Sequence, residues 1–264
     1  MDERLAFDEV AEIYDRARPS YPDQLFDDIL SYLGEKLSPS GPSVLEIAPG
    51  TGKATRSLLD RGARVVAVEI GPRLAAFLER KLLPEFPERL RVVNSSFEEA
   101  TVDQRSFDIV VVATAFEWID PAIRVAKSHD ALRPDGAFAI IGTNQIASDA
   151  DRGFFARVRP IYRKHRLDKP ARHLHDEEVV PEEYEELRSS GLFADVQLRR
   201  YRWDQTYTTD AYAHLVRSYS NTVLAPEADR EGLIGDLSRV IDDEYGGSVT
   251  RPLVITLTLG RRAE

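Results

Sequence analysis

Ser43-Val-Leu-Glu-Ile-Ala-Pro-Gly-Thr-Gly-Lys53 decides the fold class. Ser43 to Ala48 is a short β-rich apolar run, Lys53 to Asp60 has helical spacing, and Gly50 and Gly52 sit in the turn between them. Strand, glycine turn and helix in that order open an α/β unit. Outward from it the alternation continues, with Arg64 to Glu69, Leu90 to Asn94, Phe107 to Ala113 and Ala137 to Ile141 as strands. Pro72 to Leu82 and Pro121 to Leu132 are helices opened by proline, whose fixed φ suits a first helical turn. Arg133-Pro-Asp-Gly136 is a turn back to the sheet. The pattern predicts an open parallel sheet with helices on both faces.

The flanks read differently. Phe7 to Gly34 is helical and broken by Arg18-Pro-Ser-Tyr-Pro22, while Thr143 to Val180 is rich in Arg, His and aromatics without strong periodicity, as in a cover. Glu182 to Ser190 is a helix ended by Gly191; Asp195 to Trp203 and Leu253 to Leu259 alternate as strands; Asp210 to Val223 and Ala228 to Tyr245 are helices between them. One domain is expected, with its core in 35–142, 181–203 and 252–262 and a helical cap over the substrate from 1–34, 143–180 and 204–251.

Composition removes several classes. The 264 residues carry 35 Lys and Arg against 45 Asp and Glu, a net charge of −10, which gives no field for a nucleic-acid backbone or an anionic membrane surface. With no cysteine there is no disulfide framework, thiolate metal site or cysteine nucleophile. The first residues lack the basic and apolar regions of a signal peptide, and the longest apolar stretch, Ile109 to Phe116, is far short of the ~20 residues of a spanning helix. A cytoplasmic protein, monomer or homodimer, is expected.

Glu46-Ile-Ala-Pro-Gly-Thr-Gly52 restricts the ligand. A P-loop needs Gly at 47 and Ser or Thr at 54, where the chain has Ile47 and Ala54; a dinucleotide fingerprint needs a third glycine at 55, where it has Thr55. Glu46 opposes a pyrophosphate and suits an ammonium or sulfonium. Glu69, at the end of the second strand, can take both hydroxyls of a ribose with its two carboxylate oxygens. Taken singly, Glu46 fits equally as a cap on loop amides and Glu69 as a solvated strand end; their shared sheet edge favours a cationic nucleoside.

Val44-Leu-Glu-Ile-Ala-Pro-Gly-Thr-Gly52, Val66-Ala-Val-Glu-Ile-Gly-Pro72, Phe107-Asp-Ile-Val-Val-Val-Ala-Thr-Ala115 and Leu132-Arg-Pro-Asp-Gly-Ala-Phe138 together resemble, in order and spacing, the signatures of class I S-adenosylmethionine-dependent methyltransferases. Tyr14-Asp-Arg-Ala-Arg-Pro-Ser-Tyr-Pro22, Tyr207-Thr-Thr and Gly246-Gly-Ser-Val-Thr-Arg251 are similar to the small-molecule, trans-aconitate methyltransferase-like type. The resemblance implies a Rossmann-like fold with seven strands, mostly parallel, the last antiparallel. It implies S-adenosylmethionine as cofactor and S-adenosylhomocysteine as product. Gly50 and Gly52, with Ala48, Pro49 and Thr51, would approach the methionine part, and Glu69 and Ile70 the ribose. Ser96 and Phe97 match the adenine position, with Ser96 replacing the usual acid. Tyr14 and Arg18 match a segment closing over the cofactor, although Tyr14 also suits plain helix packing. Thr114 and Ala115 follow the fourth strand, and Trp118 packs beside adenine or in the core.

Methyl transfer from a sulfonium is an in-line displacement that annihilates charge, so positioning and a dry pocket carry much of the acceleration. A carboxylate acceptor needs no base; a hydroxyl, phenol or amine benefits from one. Glu117 stands where relatives of this type more often carry His, and can serve as base, as partner of a cationic acceptor or as a structural partner of a loop amide. Arg152, Arg157, Arg159, Arg163, Arg166 and Arg172 with His165, His173 and His175 read as a solvated face or as recognition of an acidic acceptor. Two histidines at 173 and 175 without a third ligand make a weak metal site, and none is expected. A small-molecule O-methyltransferase is the leading reading, with no nucleic-acid or membrane partner. An NAD-dependent oxidoreductase and a catalytically silent cofactor-binding module are the alternatives.

Overall fold

A computed structural model describes residues 12, 15, 20–34, 41–167 and 176–263. Tyr14, Arg18, Arg172, His173 and His175 lie outside these described residues. The seven strands are β1 (Ser43–Ile47), β2 (Arg64–Glu69), β3 (Leu90–Asn94), β4 (Phe107–Ala113), β5 (Leu132–Gln145), β6 (Phe193–Thr208) and β7 (Ser248–Arg262). They form one sheet in the order β3-β2-β1-β4-β5-β7-β6. Pairs β3/β2, β2/β1, β1/β4 and β4/β5 are parallel, and the last strand is antiparallel. Strand order reverses at β1, so the crevice beyond the carboxyl ends of β1 and β4 is where an open sheet of this kind binds its ligand.

Central burial explains the sequence of these strands. Phe107 to Val112 and Val44 to Ile47 are buried without alternation, because both faces are covered by helices. Helices α1 (Asp23–Leu33), α2 (Lys53–Asp60), α3 (Pro72–Leu82) and α4 (Arg124–Ala131) each bury one stripe, as with Leu74, Ala75, Leu78 and Leu82 on α3. Leu45, Ile47, Val110, Val112, Phe138 and Ile140 are neighbours in one core cluster.

The chain divides into two compact units. One comprises Ser20–Thr143, Val179–Tyr201 and Ile255–Glu264; the other includes Asn144–Glu178 and Arg202–Val254. Helix α1, grouped by sequence with the cap, belongs to the first unit, where Arg61 binds Asp27 at 2.7 Å.

Several boundaries differ from the sequence reading. The Arg133–Gly136 turn does not precede β5 but bulges from it: Phe107 pairs with Leu132 and Ile109 already with Ala137. Within Thr143 to Val180, expected to lack regular structure, the chain forms helix α5 (Phe154–Lys164), which buries Phe154 and Val158 one turn apart despite Pro160 inside it. Helix α6 spans Glu182–Ser189, and the expected helix over 210–223 is two, α7 (Thr209–Arg217) and α8 (Ser220–Val223), followed by α9 (Glu227–Tyr245). Among the described residues no helix is long and apolar enough to cross a membrane.

Candidate functional site

The strand ends assemble the site. After β1 the backbone turns through Ala48, Gly50 and Gly52, with φ of 53°, 58° and 82°. Left-handed backbone is unstrained for glycine and costs roughly 1–2 kcal/mol at Ala48. Thr114, at the end of neighbouring β4, also has a φ of 55°. The two central strands thus end in strained residues side by side, as ligand sites often do. The Ala48 amide donates to Val68 O at 2.9 Å and the Gly52 amide to Pro49 O at 3.0 Å, which holds the turn closed.

Glu69 locks this loop to β2. Its Oε2 accepts from the Gly50 amide at 2.9 Å and its Oε1 from the Gly71 amide at 2.8 Å, with the side chain 3% exposed. The residue is therefore no solvated strand end. Asn94, which sequence reasoning missed, clamps the same turn by donating Nδ2–H to Glu69 O at 2.8 Å and Ile70 O at 3.2 Å.

Glu46 is the unusual group. It is fully buried in the middle of the sheet, opposite Ala67 and Val111, and neither carboxylate oxygen has a hydrogen-bond partner. Burial pushes its carboxyl up to about 7; the nearby Glu69 charge pushes the same way, and the neighbouring Thr55 hydroxyl and amide pull it back. The hydroxyls of Thr51 and Thr55 are likewise buried and lack hydrogen-bond partners. Four buried polar atoms without partners on one loop and strand are costly unless a ligand supplies donors.

On the β3 side, Ser96 Oγ accepts from the Glu99 amide at 3.2 Å and so caps its own turn, while Phe97 is buried. Lys127, another residue missed from sequence, donates Nζ–H to the carbonyls of Phe97, Glu98 and Ala100 at 2.6, 3.1 and 2.8 Å. Beyond β4, the Tyr21 and Thr114 hydroxyls bond at 3.0 Å. Tyr21 lies in the Tyr14–Pro22 motif, so the sequence carries a signal for it. Ala115 is buried, Trp118 is partly buried against the core, and Ile70 is half-buried.

Glu117 lies on a short 3₁₀ turn, Phe116–Trp118, and is exposed. Arg124 holds that turn: its guanidinium donates to Phe116 O at 3.1 Å, lies 4.0 Å from the Phe116 ring centroid and pairs with Glu186. Glu186 is thus an anchor for that turn.

Four of the basic residues expected to recognise an acid in the cover, Arg152, Arg157, Arg166 and His165, already have protein partners. Arg157 pairs with Glu244, Arg166 with Asp229 at 2.8 Å, and Arg152 stacks 5.6 Å from the Tyr245 ring centroid. Arg159 and Arg163 are exposed, and His165 bonds Asp236 at 2.8 Å. Among the described residues no group of three His, Asp or Glu side chains could hold a metal.

A parallel sheet in this order, with an acidic strand end beside a left-handed glycine loop, defines the class I methyltransferase fold. Residues 45–140 match the family described as Methyltransferase domain. An uncharacterized methyltransferase of Mycobacterium tuberculosis is 28% identical over 225 residues, 85% of this chain and 81% of that protein. Among solved structures, a putative type II methyltransferase from Anaeromyxobacter dehalogenans superposes with a TM-score of 0.58 at 20% identity, over 93% of this chain and 96% of that one. A phosphoethanolamine N-methyltransferase of Haemonchus contortus, bound to phosphomonomethylethanolamine and S-adenosylhomocysteine, superposes with a TM-score of 0.56 at 15% identity, over 97% of this chain and 58% of that one.

Proposed function

We propose that this methyltransferase takes its methyl group from S-adenosylmethionine and delivers it to an oxygen of a small-molecule acceptor. The observation that carries the cofactor reading is the buried Glu46 carboxylate, without partners beside the orphaned Thr51 and Thr55 hydroxyls. A cationic ligand with N–H donors compensates such a group, whereas a pyrophosphate would be repelled by it. Thr55 is itself buried where a dinucleotide loop requires glycine, which weighs against NAD. Gly50, fixed by Glu69, lets the backbone approach the ligand, and the Glu69 carboxylate stands at the strand end where ribose hydroxyls would bind. Phe97 and Trp118 supply apolar surface on the adenine side.

When bound, the cofactor supplies an electrophilic methyl on a sulfonium. The residues of this chain contribute binding, orientation and exclusion of water, which suffice when the acceptor is already ionised. A carboxylate acceptor therefore fits a site whose candidate base, Glu117, is exposed. The small acceptor of the Haemonchus contortus neighbour supports a small molecule here as well.

Calorimetric titration with S-adenosylhomocysteine, beside NAD under the same conditions, tests the cofactor. Binding of the first in the micromolar range and none of the second is expected. NAD binding alone would replace the methyltransferase reading with an oxidoreductase one.

A further inference from the structure

Arg251, on β7, is 9% exposed, in the unit that includes Asn144–Glu178 and Arg202–Val254. Among the described residues its guanidinium makes one hydrogen bond, NH2 to the neutral Gln145 Oε1 at 3.1 Å, and no ion pair. The other arginines of that unit that make ion pairs do so at the surface, as Arg157 does with Glu244 and Arg217 with Glu231. A buried guanidinium has five N–H donors and keeps its charge, so leaving it without an anion is costly.

Its surroundings are phenolic. Tyr162, Tyr207, Tyr212 and Tyr219 are the ionisable groups close enough to act on it electrostatically. They belong to one packed cluster with Phe154, Val158 and Val249, in which the Tyr207 and Tyr212 rings stand edge to face at 6.2 Å. Thr222, whose amide donates to Tyr219 O at 2.9 Å, is fully buried with a hydroxyl lacking a hydrogen-bond partner.

We propose that Arg251 and the tyrosines around it form a binding site for the carboxylate of a small organic acid carrying an apolar or aromatic body. The guanidinium offers two parallel N–H donors to a carboxylate, and the ring cluster offers apolar surface to the rest of the molecule. Burial pushes the Tyr162 and Tyr212 hydroxyls upward, so both stay protonated and uncharged beside the guanidinium. One buried positive charge matches a monoanion; a phosphate dianion would leave a net negative charge in the same place. Calling this acid the methyl acceptor rests on the methyltransferase reading, while the binding of an acid does not.

The test uses the full chain saturated with S-adenosylhomocysteine and titrates benzoate, the neutral benzamide and phenyl phosphate by ligand-observed NMR. Benzoate is expected to bind at least tenfold tighter than benzamide and tighter than phenyl phosphate. Arg251→Met should weaken benzoate at least tenfold while S-adenosylhomocysteine affinity stays within twofold of the wild type, which also shows that the variant is folded. Tyr219→Phe, a milder change on a partly exposed residue, should weaken benzoate severalfold and serves if Arg251→Met does not fold. Equal binding of benzoate and benzamide, no benzoate binding, or unchanged benzoate affinity in these variants overturns the site; tighter phenyl phosphate binding overturns its assignment to a carboxylate. Benzoate binding without any S-adenosylhomocysteine binding would leave the acid site standing and remove the cofactor reading instead.

Discussion

At pH 8, Glu46→Gln is expected to make the ligand-free protein more stable and yet to weaken S-adenosylhomocysteine binding by about 10- to 100-fold. The folded protein holds this carboxyl neutral up to about 7, whereas the unfolded chain ionises it near 4.5. As pH rises the unfolded state therefore loses its proton first, and the ligand-free protein loses stability between these two values. Above pH 7 the wild type carries a buried charge whose cost is at most about 3 kcal/mol, and glutamine removes it. The amide remains without partners in that pocket, so the net gain is smaller. Denaturant unfolding at pH 8 and pH 5 reads the effect: a gain at the higher pH that disappears at the lower one. The loss of affinity follows from one charge-assisted hydrogen bond, about 1.5–3 kcal/mol. A variant that is less stable at pH 8 and binds as the wild type does would show that Glu46 is a structural residue.

Glu69→Ala is expected to act in the same direction on both properties. It removes the acceptors of the Gly50 and Gly71 amides, two charge-assisted bonds at 2.9 and 2.8 Å in a site only 3% exposed. The cost is about 2–4 kcal/mol of stability, or roughly 5–10 °C in melting temperature. Cofactor affinity should fall at least tenfold, because the freed loop must be ordered on binding and the ribose loses its acceptor. Glu69→Gln, which keeps one oxygen, should lie between the two. An unchanged melting temperature would contradict the loop lock, and unchanged affinity would remove Glu69 from the site.

How much of this was legible in the sequence depended on how local the cause was. The strands Arg64 to Glu69, Leu90 to Asn94 and Phe107 to Ala113 were read to the residue, because apolar runs bounded by polar ends are a local pattern. Helix Phe154–Lys164 was missed because Pro160 and three arginines masked a stripe of Phe154, Val158, Ile161 and Tyr162 that is helical in spacing. Glu46 and Glu69 were recognised as ligand groups by charge and place. That Glu69 also ties Gly50, 19 residues earlier, and that Glu46 lacks any partner, are facts of tertiary packing. Ala48 concealed the third left-handed position of the loop, since only a glycine there would have announced it. Arg251 closes the Gly246–Arg251 motif, but a lone arginine at the start of a strand reads as exposed until the fold buries it near tyrosines distant in sequence. The arginine-rich stretch that did attract attention, 152–166, proved to be a surface whose charges are largely occupied by Glu244, Asp229 and the Tyr245 ring.

The central claim is that a cationic cofactor compensates the buried Glu46 carboxylate, and proton counting addresses it directly. S-adenosylhomocysteine is titrated calorimetrically at pH 6.5 in two buffers of different ionisation enthalpy, so that the heat difference gives the protons exchanged. Because the ligand-free protein holds most of its Glu46 protonated at that pH, binding of the ammonium should release more than about half a proton. Release should fall towards zero at pH 8.5 and be absent in Glu46→Gln. Binding with no proton release at pH 6.5, or with proton uptake, would contradict the claim.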